Sequence, residues 1–361
     1  MSITMVVEVN TIDELKKHVT SSEVVRAVGG GSKPGLSRNP TVSMRCLSGI
    51  VEYRADEYTV TALAGTPIGQ IDAALAEKGQ YLPFDPPLAK AGATLGGTVA
   101  SGISGPGRWR YGGIRDFIIS LKMISGGGEM LVGGAKVVKN AAGFDLPKLM
   151  VGAQGRFGVM TELTFKVFPK PKAMVTLELR CGDANAAVDV MGVVAMGPWD
   201  LISLDMSPPD CVWARLGGMP EAIEKKIQRF KDALPEGCEV QRHDDDESIW
   251  SSAKEFKWVD DQRSLVKLAI TPGRIPNLER YFCSLSRPTA RRYGCGGNVL
   301  YLGFSEADDL ADPELASLPG VVLRGEVPSF TPAGPNLFLE RLCSVFDPQQ
   351  KFTDKSPNQS G

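Results

Sequence analysis

The sequence predicts an α+β fold of two units, and three observations carry that expectation. The 361 residues include 40 glycines, and 25 of these lie between Gly29 and Gly158, so one half of the chain needs many positive-φ or close-approach backbone positions. Short alternating apolar runs are interleaved with capped segments of helical period in both halves. Pro169-Lys-Pro-Lys172 then breaks the chain, and glycine returns to an ordinary density beyond it. The glycine-rich part lacks the three-residue period of collagen. Nor is it a disordered linker, because apolar runs such as Thr59-Val-Thr-Ala-Leu-Ala64 sit between its glycines. The expected units are 1–172 and 173–325, followed by a C-terminal segment, 326–361.

Thr11, with Glu14 three residues on, predicts the capped start of a helix. Residues 24–28 read as a short strand running into Gly29-Gly-Gly-Ser-Lys-Pro-Gly35, and 51–53 and 58–64 as further strands. A helix is expected over 67–78, with Pro67 in its first turn and Gly79 past its end. The stretch 92–113 has no clean period and is rich in small residues. Residues 116–125 and 129–132, joined by Gly126-Gly-Gly128, predict a hairpin, 145–150 a short helix, and 158–168 a strand by alternation. In the second unit, 174–180, 264–271 and 299–304 read as strands and 221–233 as a helix. The polar C-terminal segment contains one helix, 336–346, followed by the turn Asp347-Pro348 and a tail expected to be disordered.

Forty basic against 42 acidic residues give a formal net charge of −2, which argues against a dedicated nucleic-acid binder but allows a local anion site. Seven cysteines form no CxxC pair and leave one over, the pattern of an intracellular protein with reduced thiols. No signal-peptide pattern and no run approaching 18 apolar residues is present, so the expected location is cytoplasmic, with any membrane association made through partners. There are only two histidines, His18 and His243. That excludes a histidine-rich metal site within the chain and leaves a Ser-His-Asp triad without good candidates. No metal is expected.

Three glycine clusters carry the functional signal. Gly29-Gly-Gly-Ser32, after a strand, suits either a phosphate cradle or a bare turn; Ser32 would donate a hydroxyl and Lys33 a charge. It is not a Walker A loop, and Pro34-Gly35 would obstruct the helix that a Rossmann fingerprint requires. Gly92-Ala-Thr-Leu-Gly-Gly-Thr-Val-Ala-Ser-Gly102 suits an extended ligand lying along the backbone, or a close-packed crossing in the core. The third cluster joins Lys139-Asn-Ala-Ala-Gly143 to Gly152-Ala-Gln-Gly-Arg-Phe-Gly158. Three clusters in one domain, separated by strands, imply one extended ligand.

Together with Tyr111-Gly-Gly-Ile-Arg-Asp-Phe117 and Gly158-Val-Met-Thr-Glu-Leu-Thr-Phe-Lys-Val-Phe-Pro169, these clusters resemble the FAD-binding domain of the vanillyl-alcohol oxidase and p-cresol methylhydroxylase superfamily. Within it, Val138-Lys-Asn-Ala-Ala-Gly-Phe-Asp-Leu146 is similar to the E-subunit family of bacterial glycolate oxidases. The resemblance is strong over about 24–172, thin to 325, and returns at Val345-Phe-Asp-Pro348. It implies a two-lobed FAD-binding domain followed by an α+β cap, with the C-terminal segment returning to the FAD domain. By position, Gly29, Gly30, Gly31, Ser32 and Lys33 would hold the pyrophosphate, and Thr94, Leu95, Gly96, Gly97, Ser101 and Gly102 would line the diphosphate and flavin side. Gly158, Val159 and Glu162 would lie beside the adenosine or the ring, and Pro86 and Pro87 match the family's Pro-Pro ahead of the second cluster.

The departures are informative. No histidine or cysteine stands where relatives attach flavin covalently, so non-covalent FAD is implied. Where catalytic relatives carry a histidine-rich cap motif, this chain has Arg292-Tyr-Gly-Cys-Gly-Gly-Asn-Val-Leu300, with no histidine in any register. Arg108, Arg110, Arg115 and Lys139 are candidates for a substrate-anion clamp, with Tyr111 on the flavin side, and each is equally readable as a surface or packing residue. No general base is evident. The expected role is a flavin subunit that relays electrons in oxidation of glycolate or a similar 2-hydroxy acid, beside a second FAD-binding subunit and an iron–sulfur subunit. An autonomous 2-hydroxy-acid dehydrogenase and a scaffold with a vestigial flavin site are the alternatives.

Overall fold

The computed structural model describes residues 6–134, 145–305, 313–325 and 337–352. Two antiparallel sheets organise it, one built from residues 50–166 and the other from 173–324.

The first sheet runs, edge to edge, Ile50–Arg54, Thr59–Leu63, Val159–Lys166, Ile118–Ile124 and Met130–Gly134. Its central strand is the one with the strongest alternation in the sequence, and it is covered on both faces. Leu163 and Phe165 enter the main core, and Val159 joins a smaller cluster with Leu15, Val19 and Met44. Thr61 and Thr164, opposite each other in the ladder, are hydrogen-bonded through their hydroxyls at 2.9 Å. A small parallel sheet, Val7–Glu8, Val42–Ser43 and Ala27–Val28, aims the first glycine cluster off the end of its last strand. The strand expected over 24–28 is thus shorter than the apolar run, because only Ala27 and Val28 have ladder partners.

Local signals are met closely elsewhere. Thr11 caps the helix Ile12–Ser21 through a 3.1 Å bond from the Glu14 N–H, and Glu14 reaches back to the Asn10 N–H at 2.7 Å. The helix Ile68–Ala76 starts after Pro67 and stops before Gly79, whose φ is +64°. The aperiodic stretch conceals a helix, Leu95–Ser101, capped by Thr94 and closed by Gly102 in the left-handed region. Its glycines weaken helical propensity, but a side chain at Gly96 would meet Ala64 at 2.8 Å, so close packing on the neighbouring strand favours glycine there.

The second sheet has eight strands, in the order Glu239–His243, Ala173–Arg180, Cys211–Gly218, Leu201–Ser207, Ala290–Gly294, Val299–Phe304, Ser264–Ala269 and Gly320–Arg324. Helices Ala184–Ala195, Pro220–Asp232 and Ile275–Ser284 contribute Val190, Ile227 and Phe282 to its core. The two units meet through apolar and polar contacts: Ile103 packs with Phe256, Val259, Leu265 and Leu323, Arg110 pairs with Asp200 at 2.9 Å, and Lys254 with Asp85 at 2.8 Å. The C-terminal helix Leu337–Phe346 lies on the first unit, where Phe346 accepts from the Gly126 N–H at 2.9 Å and packs on Phe157. The buried Asp347 carboxylate then accepts from the N–H groups of Lys351 and Phe352. No helix among the described residues is long and apolar enough to cross a membrane.

Candidate functional site

The first two glycine clusters, and Gln154, Gly155 and Gly158 of the third, line one open cavity. Gly29, Gly30, Gly31, Ser32 and Lys33 form one wall, Thr94, Gly96, Gly97 and Ser101 a second, and Gln154, Gly155, Gly158 and Val159 a third. A neighbouring cavity shares Ala27, Leu36, Gln154, Gly155 and Val159 with it and extends the groove past Arg38 and Arg156. Such a groove suits a long ligand rather than a compact one.

The first wall is built for an anion. Arg45 donates to the carbonyls of Gly29 and Gly30, at 3.1 and 2.8 Å, so a cation holds the acceptor side of the turn. The backbone N–H groups of Gly30, Gly31 and Ser32 donate to nothing among the described residues. Successive unpaired N–H groups in a tight turn form an anion-binding concavity. Lys33 is only 6% exposed and has no ion pair among the described residues, with Ser32 Oγ 3.5 Å from its Nζ. Burial pushes its ammonium down to about 8, partly opposed by Glu255. A buried cation without an ion-pair partner among the described residues, beside three open N–H groups, fits a pyrophosphate. Among the described residues, no histidine or cysteine lines the cavity.

The other sequence candidates fall elsewhere. Leu95 is buried in the core of the first unit, and Gly102 packs against Gly152 at the end of the helix. Glu162 pairs with Lys122 at 3.0 Å on the first sheet. Pro86 and Pro87 line two further cavities between the units. Arg110 is held by Asp200, Tyr111 stands edge-on to Tyr81 and Phe168, and Arg115 donates to the Lys148 carbonyl at 3.2 Å. Lys139 lies outside the described residues. Arg108 alone of this group lines a cavity between the units, together with Pro87.

That second cavity shares no lining residue with the glycine groove. Its far wall comes from the second sheet: Lys267, Tyr301, Cys295, and Arg292 paired with Asp205 at 2.9 Å. The sequence reading missed Lys267. Its signal was a lone cation in the apolar strand Ser264–Ala269. The glycine motif after Arg292 forms the turn of a hairpin between Ala290–Gly294 and Val299–Phe304, with Cys295, Gly296 and Gly297 all at positive φ. A side chain at Gly296 would strike the Trp109 ring, so the motif docks one unit onto the other.

A long groove with open N–H groups and the buried Lys33 on one wall suits a dinucleotide. Residues 3–134 match the FAD binding domain family, a match that implies FAD as the cofactor. The chain is 36% identical over 214 residues to glycolate oxidase subunit GlcE of Escherichia coli (strain K12), covering 57% of this chain and 59% of that protein. It is 30% identical over 165 residues to a D-2-hydroxyglutarate dehydrogenase of Xanthomonas citri pv. viticola, covering 44% of this chain and 35% of that one. The chain thus spans well under two thirds of the length of these relatives. A solved alkyldihydroxyacetonephosphate synthase superposes with a TM-score of 0.70 at 16% identity, over 96% of this chain and 75% of that one, which establishes a shared fold.

Proposed function

We propose that this chain is the FAD-binding subunit of a glycolate oxidase-type complex, carrying electrons in the oxidation of glycolate or a similar 2-hydroxy acid. The observation that carries the reading is the meeting of the first two glycine clusters with Gln154, Gly155 and Gly158 at one cavity, whose first wall combines open N–H groups with the buried Lys33. Residues 1–172 serve as the FAD-binding domain, 173–325 as the cap and 326–361 as a segment returning to the first. Gly29–Lys33 would hold the pyrophosphate, and Thr94, Gly96, Gly97 and Ser101 the diphosphate and flavin side. Gly158 and Val159 would lie beside the remaining part. Bound FAD supplies a two-electron acceptor, while the chain supplies position and electrostatics.

Neither histidine is available as a base in these cavities: His243 is bonded to Glu178 at 2.9 Å, and His18 sits in the N-terminal helix. This favours a relay role beside a second flavin subunit and an iron–sulfur subunit, as the resemblance implies, over autonomous dehydrogenase activity.

Purified protein should be yellow and release FAD intact on denaturation. A colourless protein that takes up no added FAD would refute the flavin reading. Copurification of an iron–sulfur partner would support the relay role, whereas rapid anaerobic bleaching of the isolated chain by glycolate would refute it.

A further inference from the structure

We propose that Cys181 and Cys238 form a reversible disulfide, closed by a small hydroperoxide, that staples the edge strand of the second sheet to its neighbour. Neither cysteine lines the glycine groove or the cavity between the units, so the proposal stands apart from the flavin reading.

Register brings the two together. Glu239–His243 is the edge strand of the eight-stranded sheet, and its first residue, Glu239, is opposite Arg180, the last residue of Ala173–Arg180. Cys181 and Cys238 are the next residues out on the two strands, so the ladder sets them opposite each other. Their sulfurs lie 4.0 Å apart, the one sulfur–sulfur contact among the described residues. Directly opposed residues have Cβ atoms about 4.5–5.5 Å apart, against about 3.5–4.5 Å in a disulfide, so closure asks for a shift of roughly 1 Å. The flanking backbone has room for it. Gly182 follows one cysteine and Gly237 precedes the other, both at positive φ, and a side chain at either would meet nothing within 4 Å.

Both side chains also pack at the margin of the second unit's core, where a thiol serves as a small apolar group. Access separates this pair from the other cysteines. Cys181 and Cys238 are half-buried, open to a molecule as small as a peroxide, whereas the neighbouring Cys211 is buried and donates its S–H to Glu178 at 3.6 Å. Cys46 and Cys283 are exposed but have no sulfur beside them among the described residues.

Burial pushes the Cys181 thiol up to about 12 and raises Cys238 as well, but a hydrogen bond from Cys181 opposes the rise at Cys238. Cys238 is therefore the attacking sulfur. Its thiolate takes one oxygen of the hydroperoxide, the O–O bond breaks, and the alcohol leaves with a proton from water, giving a sulfenic acid. The Cys181 sulfur then attacks the Cys238 sulfur, and its proton departs with the hydroxide as water. Two thiols are oxidised to one disulfide while the hydroperoxide is reduced to an alcohol and water. The closed loop holds helices Ala184–Ala195 and Pro220–Asp232 and strands Leu201–Ser207 and Cys211–Gly218. A cross-link over so long a loop removes freedom from the unfolded chain, which makes the oxidised form the more stable one.

The experiment uses the full chain, reduced, freed of reductant and treated with hydrogen peroxide. The samples are alkylated, mapped by mass spectrometry without reduction, and unfolded thermally. A peptide pair linked at Cys181 and Cys238 is expected, with a melting temperature about 5 °C above that of the reduced protein, both reversed by dithiothreitol. The link should form faster at pH 9 than at pH 7, because the thiolate attacks. Cys238→Ser should lose the link and the rise, whereas Cys211→Ala should keep both. A link through Cys211, or between two chains through Cys46 or Cys283, in place of the expected one would overturn the pairing. Absence of any link, with Cys238 carried on to sulfinic acid or left reduced, would overturn the proposal. A Cys181–Cys238 link that leaves the melting temperature unchanged would overturn the stapling role.

Discussion

Gly30 faces the carbonyl oxygen of Gly92 so closely that a side chain at Gly30 would overlap it. The first two glycine clusters are thus packed against each other where both line the groove. The close-packed crossing, one of two alternatives at the level of sequence, is present and leaves the cavity wall open beside it.

Gly30→Ala should therefore separate the two clusters. Overpacking of this kind costs about 1–3 kcal/mol, enough to weaken FAD retention about tenfold if it acts mainly on the groove. The check is the ratio of flavin to protein absorbance, with circular dichroism to show that the fold persists. Gly31→Ala is a useful companion: its φ of +69° strains the backbone, but its nearest neighbour is the Arg45 guanidinium at 3.6 Å. It should weaken binding less than Gly30→Ala. Equal effects would place the origin in backbone strain rather than in the crossing.

Arg45 is exposed, and its two hydrogen bonds end on carbonyls of the turn, so its removal should act on the turn's shape more than on the core. Arg45→Met is expected to lower FAD affinity by about tenfold or less, corresponding to about 1 kcal/mol, with little change in melting temperature of the flavin-free protein. A large loss of stability would show that Arg45 supports the fold itself.

Lys33 gives the groove a pH dependence. Without ligand its ammonium titrates near 8, and a pyrophosphate beside it would raise that value toward the ordinary lysine range. A group whose value is raised on binding contributes fully below its free value and progressively less as pH rises through the bound one. FAD affinity should therefore be flat below about pH 8 and fall above it, as measured by fluorescence titration. Lys33→Met should bind more weakly at pH 7 and lose most of that slope. A slope unchanged in the variant would assign it to another group.

Much of the local structure was legible from sequence because its causes are local. The capping pair Thr11 and Glu14, Gly79 after its helix, and the alternation of 158–168 each concern residues within a turn or a strand of one another. The helix Leu95–Ser101 was not legible, since Gly96 and Gly97 argue against helix and only the contact with Ala64 explains the first of them. Glu162 shows the converse limit. It stands on the expected strand, but its carboxylate points to Lys122 and not into the groove.

By itself, the sequence determined that this chain would concentrate its backbone freedom in three ordered clusters of one domain, and that imidazole chemistry would be nearly absent. Composition and order suffice for both. Tertiary structure decided that the first two clusters share one cavity with Gln154, Gly155 and Gly158, and that Arg108 and Lys267, 159 positions apart, line a second one. The physical reason is that a lone lysine in an apolar strand looks the same whether it reaches water or a cavity wall. Only the packing of one sheet against the loops of another unit settles which.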